Sequence, residues 1–173
     1  MAATGRQAIV ISGVPGTGKS TFAGWLQRER GFTHVDADHG GLNRPELRKW
    51  LPDCQAPSAD VEPFCDALRA LGERVVLDWG FPVVCLPVIR AIHAAGVTAW
   101  WFDGDRAAAR KAFIERRTAS VNDLDRQMAA IARHEAELAI FYEDRLIYAV
   151  AEDGTFAPPL VVFQTIFKTE CEV

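Results

Sequence analysis

The stretch that decides the fold is IVISGVPGTGKSTFAGWLQRERGFTHVDAD, residues 9–38. Within it Gly13, Gly18, Lys19 and Ser20 fit the pattern G-x-x-x-x-G-K-[ST]. An apolar run, QAIVIS (7–12), enters the motif, and a segment with Phe22, Trp25 and Leu26 at helical spacing leaves it. Each position has a chemical reason. Glycines let the backbone turn tightly and aim its N–H groups inward, which makes a nest for phosphate oxygens. The helix that follows adds its positive end. Lys19 supplies a point charge for β- and γ-phosphates, and the Ser20 hydroxyl suits Mg²⁺. Gly13, Val14, Pro15, Gly16, Thr17, Gly18, Lys19, Ser20 and Thr21 are therefore the candidate nucleotide-binding residues, with Thr21 either touching the α-phosphate or capping the helix. The implied cofactors are ATP and Mg²⁺, although the motif does not separate ATP from GTP.

Outward from this stretch, strands alternate with helices. FTHVDA (32–37), RVVLDW (74–79), VTAWWFD (97–103) and RLIYAVA (145–151) read as strands beside 7–12. Helices are expected over 19–30, with Gly31 as the stop, and in NRPELRKWL, capped by Asn43 with Pro45 in its first turn. Others are expected in SADVEPFCDALRALGE, ending at Gly72, and over 82–96, where Pro87 marks the true first turn. RAAARKAFIERR and DLDRQMAAIARHEAELAIFYED read as two long helices separated by TASVN. PPLVVFQTIF is ambiguous, its prolines favouring a helix and its β-branched residues a strand. The tryptophans of VTAWWFD suit a buried strand or a partly exposed edge. Strands this apolar, alternating with helices, define an α/β class with a parallel sheet covered on both faces.

The chain has 173 residues and a net charge of −4, which suits one domain over 1–173 and argues against a non-specific nucleic-acid binder. Cys54, Cys65, Cys85 and Cys171 lack metal-ligand or CxxC spacing and read as reduced thiols. The N-terminal apolar run is too short for a signal peptide or a membrane span, so a cytoplasmic, membrane-free protein is expected.

Three aspartates follow strands. Asp78 ends VVLD, where a strand tip in an open parallel sheet faces a ligand crevice. There it can orient a water on Mg²⁺, or else cap the next turn. Asp36 and Asp38, at i and i+2, point the same way if their strand continues. GVPGTGKST, then HVDAD, then VLDWGFP, in that order, resembles the small P-loop kinases: the shikimate kinase, gluconate kinase and chloramphenicol phosphotransferase group, with the AAA-type zeta-toxin-like kinases nearby. The resemblance implies a three-layer P-loop NTPase fold with strand order 2-3-1-4-5 and helices on both faces. It also implies an acceptor-cap insertion, here about 39–72, and a short lid, here about 116–123. By that likeness Asp38 or Asp36 is the base toward an acceptor hydroxyl, Asp38 being favoured because it lies further out. His34 and His39 read as structural histidines. DWGFP is similar to the DGFPR of adenylate kinases but has Trp79 inserted and Val83 where that Arg would stand, which argues against a nucleoside-monophosphate acceptor. Trp79 and Phe81 are equally suited to walling an acceptor pocket or filling core, and Gly80 to a close backbone approach.

Arginines suit a closing lid because a planar fork binds phosphate bidentately. The resemblance places that role on Arg110, Arg116 or Arg117, whereas Arg106 reads as a surface ion pair. Arg44, Arg48 and Lys49 hint at an anionic acceptor but fit a solvated helix face better. The expected activity is ATP-dependent transfer of the γ-phosphate to a hydroxyl of a small-molecule acceptor by a monomer or homodimer. The alternatives are a nucleotide-binding ATPase or regulatory switch, a 5′-hydroxyl nucleic-acid kinase, and a degenerate kinase that serves as an interaction module.

Overall fold

The computed structural model describes residues 7–38, 43–51, 60–80, 83–116 and 120–167. Five strands, β1 (Gln7–Gly13), β2 (Thr33–Asp36), β3 (Arg74–Asp78), β4 (Thr98–Gly104) and β5 (Leu146–Val150), form one sheet in the order β2-β3-β1-β4-β5. The pairs β1–β3, β2–β3 and β4–β5 are parallel. Seven α-helices are described: α1 (Lys19–Arg30), α2 (Glu62–Arg69), α3 (Leu86–Ala94), α4 (Arg106–Arg116), α5 (Val121–Arg133), α6 (Glu135–Tyr142) and α7 (Pro159–Ile166). The chain falls into two compact units, residues 1–12 with 23–99 and residues 13–22 with 100–173.

In the first unit, β1 and β3 are buried along nearly their whole length, as continuous apolar runs require in a parallel sheet. The register Ile11↔Asp78 and Asp36↔Asp78 brings the carboxyl ends of β1, β2 and β3 level. Gly31, with φ 68°, turns the chain out of α1 in the left-handed conformation that glycine adopts without strain. Pro87 lies in the first turn of α3 as expected, where its missing N–H costs nothing. Asn43 does not cap a helix. A 3₁₀ segment, Pro45–Trp50, follows Arg44 instead. Asn43 is bound to β2: its Oδ1 accepts the Asp36 N–H (3.0 Å) and its own N–H donates to the Asp36 carbonyl (3.0 Å).

In the second unit, Trp100 and Trp101 are both buried in β4, so neither belongs to an exposed edge. The edge is β5, and it departs from the expectation of strands covered on both faces. Ile147 and Ala149 are buried while Leu146 and Tyr148 face out. The long helix expected over 123–144 is broken at His134. There the backbone leaves helical geometry (φ −111°, ψ 15°) and the His134 N–H donates to Ile131 O, one residue short of the helical partner. The imidazole Nδ1, 2.9 Å from Ala130 O, occupies the helical acceptor instead. PPLVVFQTIF resolves as helix α7, with Pro159 in its first turn.

Cys65 is fully buried on α2, and burial pushes its thiol up from 9.0 to about 11. Below about pH 9 the thiol is neutral in both folded and unfolded chains. Above that only the unfolded chain releases the proton, so stability falls as pH rises toward 11. Denaturant titrations from pH 8 to 11 should show this loss in the wild type and a shallower one in Cys65→Ala.

Candidate functional site

The loop Gly13–Ser20 runs directly from β1 into α1. Its shape is set by close packing in the second unit. Gly13 has φ 141°, and a Cβ there would stand 2.1 Å from the Phe102 carbonyl oxygen of β4. The next residue, Val14, donates its N–H to that same oxygen at 2.9 Å. Gly16 (φ 86°) lies against α4, where a Cβ would meet Ala109 O at 2.0 Å. Thr17 Oγ1 closes the turn on Val14 O at 2.7 Å. The Lys19 ammonium is buried and donates to the carbonyls of Gly13 (3.3 Å) and Val14 (3.1 Å). It thus lies back over the loop.

Beside this loop a cavity of about 370 Å³ opens, floored by Thr17, Gly18 and Thr21 and walled by Phe156, Pro158 and Arg116. Phe156 closes down on Gly18, where an added Cβ would come within 3.2 Å of its ring. It is aimed there by a tight reversal after β5: Asp153 Oδ1 accepts the Thr155 N–H, and Phe156 bridges back to Val150. The lining is mostly apolar and open at one side, as small-molecule pockets commonly are. Sequence reasoning missed Phe156 and Pro158. The signal was the Asp153–Gly154 turn followed at once by an aromatic and two prolines.

Of the lid arginines, Arg116 reaches this cavity. Arg110 is engaged elsewhere, its Nε donating to Asp125 at 3.1 Å. Arg106 pairs with Asp103, the surface ion pair expected of it. Arg117, His39 and Phe81 lie outside the described residues, as do residues 117–119 of the lid stretch and residues 39–42 and 52–59 of the acceptor-cap stretch.

The aspartates gather in the first unit. Asp78 is fully buried at the end of β3, and neither carboxylate oxygen has a hydrogen-bond partner among the described residues. His34 Nε2 stands 3.7 Å from its Oδ2. β2 ends at Asp36, so Asp36 and Asp38 do not share a strand face. Asp36 Oδ1 accepts the Asp38 N–H at 2.8 Å, a local turn that ends the strand. Asp38 swings its carboxylate to the Gly80 N–H, at 2.9 and 3.0 Å for its two oxygens. A Cβ on Gly80 would stand 2.9 Å from Asp38 Oδ2, so glycine is what admits the carboxylate. Trp79 is buried as core. In the 3₁₀ segment, Lys49 lies over the Trp50 ring at 4.8 Å, and Arg48 is exposed, in keeping with a solvated face.

Among the described residues no group of three or more His, Cys, Asp or Glu is arranged to hold a metal ion, and no helix is long and apolar enough to cross a membrane. No family model matches the chain, and no curated protein matches it. Solved structures do. A gluconokinase from Sinorhizobium meliloti 1021 superposes with a TM-score of 0.52 at 18% identity, covering 92% of this chain and 89% of that one. A crystal structure of APE1195 matches at 18% identity and a TM-score of 0.34, covering 89% of this chain and 82% of that one. The chain thus has the P-loop kinase fold, with the strand order β2-β3-β1-β4-β5. At such identity the likeness extends to the fold alone.

The packing at Gly13 yields a test. Gly13→Ala places a methyl inside the Phe102 carbonyl, so it should cost about 2–4 kcal/mol in denaturant unfolding, a far larger loss than at an exposed position.

Proposed function

We propose that the chain is an ATP-dependent phosphotransferase that moves the γ-phosphate to a hydroxyl of a small-molecule acceptor, working as one domain. The observation that carries this reading is the loop Gly13–Ser20, shaped by glycines and closed by a buried Lys19 ammonium. The gluconokinase likeness supports it at the level of fold.

Each residue then has a role. Backbone N–H groups of the loop cradle the phosphates, and Lys19 leaves its two carbonyls to meet the β- and γ-phosphate oxygens. The nucleoside lies in the cavity walled by Phe156 and Pro158, with Arg116 at its rim. Arg116 supplies a planar cation against the charge that spreads over the transferring phosphoryl group. Arg110 and Arg117 are the further lid candidates, Arg110 on release from Asp125.

The residues present fit a magnesium ion. Asp78 is a buried carboxylate whose oxygens have no hydrogen-bond partner among the described residues, which suits an acceptor for metal-bound water, and the Ser20 hydroxyl suits direct ligation. Mg²⁺ held by these residues would offset the negative charge of the phosphates.

Asp38 is the better candidate for the base. The Asp36 carboxylate closes the strand-end turn on the Asp38 N–H, whereas Asp38 lies beyond the end of β2 with its carboxylate oriented by the Gly80 N–H. As the acceptor oxygen bonds to the γ-phosphorus, its bond to the ADP oxygen breaks, and Asp38 receives the hydroxyl proton. Excluding water then keeps the γ-phosphate from hydrolysis.

The test is ADP release from MgATP, alone and with a panel of hydroxylated metabolites, antibiotics and 5′-hydroxyl oligonucleotides. One acceptor should stimulate release, and Lys19→Ala should abolish it. Asp38→Asn should bind MgATP normally and lower transfer by about 10²–10⁴-fold. Normal transfer by both Asp38→Asn and Asp36→Asn would overturn the base assignment. A slow rate indifferent to every acceptor would favour an ATPase switch.

A further inference from the structure

His34 and Asp78 are a buried pair that the roles above leave half explained. The register His34↔Val76 and Asp36↔Asp78 puts His34, Asp36 and Asp78 on one face of the parallel pair β2–β3. Asp78 is fully buried, and the His34 side chain is only 14% exposed. Among the described residues, His34 Nε2 and both Asp78 oxygens lack hydrogen-bond partners. An unpaired buried carboxylate costs several kcal/mol, and removing one partner of a buried pair is strongly destabilising. Asp36, the register neighbour, adds like charge instead of relief. His34 is the ion-pair partner Asp78 has among the described residues, at 3.7 Å. That distance is just beyond hydrogen-bond reach, so a small ring movement closes it.

We propose that His34 is a positioning residue whose Nε2–H holds the Asp78 carboxylate in the orientation that receives a metal-bound water. The proposal rests on the phosphotransferase reading, in which Asp78 serves Mg²⁺. A neutral imidazole with its hydrogen on Nε2 suffices, and Oδ1 is left free for the water. A leucine in its place keeps the volume and removes the donor, whereas glutamine keeps a donor.

Two measurements test it. The first is thermal unfolding of the nucleotide-free protein in EDTA for wild type, His34→Leu, His34→Gln, Asp78→Asn and the His34→Leu/Asp78→Asn double variant. His34→Leu should lower Tm by roughly 3–6 °C. The loss should largely vanish in the Asp78→Asn background, and His34→Gln should recover part of it. An equal loss in both backgrounds would mean that the ring only fills space, and would overturn the proposal. The second is Mn²⁺ binding, read by electron paramagnetic resonance, to the protein loaded with a non-hydrolysable ATP analogue. His34→Leu should weaken Mn²⁺ by about 10-fold, and His34→Gln by less. Wild-type affinity in His34→Leu would overturn this inference alone. A wild type that binds no Mn²⁺ with the analogue would overturn the nucleotide reading and this inference with it.

Discussion

The contact on which the loop Gly13–Ser20 depends is between a residue without a side chain and a backbone carbonyl. Gly13 packs so closely on Phe102 that no Cβ fits, and Val14 donates to the same oxygen. That fixes where β1 stops being a strand. From there Gly16 is pressed on the backbone of α4 and Thr17 ties the turn, which leaves Lys19 directed back over the loop. A loop held in this way has its ordering cost met during folding, so little conformational entropy would be lost if a ligand bound there. Phe22 at the start of α1 and Phe102 of β4 are both buried, with their rings 5.6 Å apart.

A second constraint is electrostatic. Three carboxylates close the ends of β2 and β3, and each is handled differently. Asp36 is turned onto a backbone N–H, Asp38 is held by Gly80, and Asp78 is left buried with His34 at its side. A chain selected for stability alone would fill the Asp78 position with an apolar residue, since an unsatisfied buried carboxylate is a net cost.

Much of this was legible in the residues. The glycine spacing, the apolar run before it and the helical spacing after it are local signals, and they carried the class of fold. Pro87 and Gly31 announced helix ends for reasons internal to their own backbones. The Asp36–Asp38 geometry was not legible, because whether β2 continues to residue 38 depends on Asn43 and on Gly80, which lies 42 residues away in the chain. The break at His134 was hidden for a similar reason: the apolar period runs through it unbroken, and only the imidazole's bond to Ala130 O reveals the change. Phe156 went unnoticed because a wall of a cavity has no period. Arg110 and Arg116, alike in sequence, were separated only by where Asp125 stands.

The central claim is that the loop after β1 holds a triphosphate, and calorimetric titration of a non-hydrolysable ATP analogue with Mg²⁺ tests it most directly. The account predicts one site per chain, lost in Lys19→Ala while the variant keeps its fold by circular dichroism. Equal binding by wild type and Lys19→Ala, or none by the wild type, would contradict it.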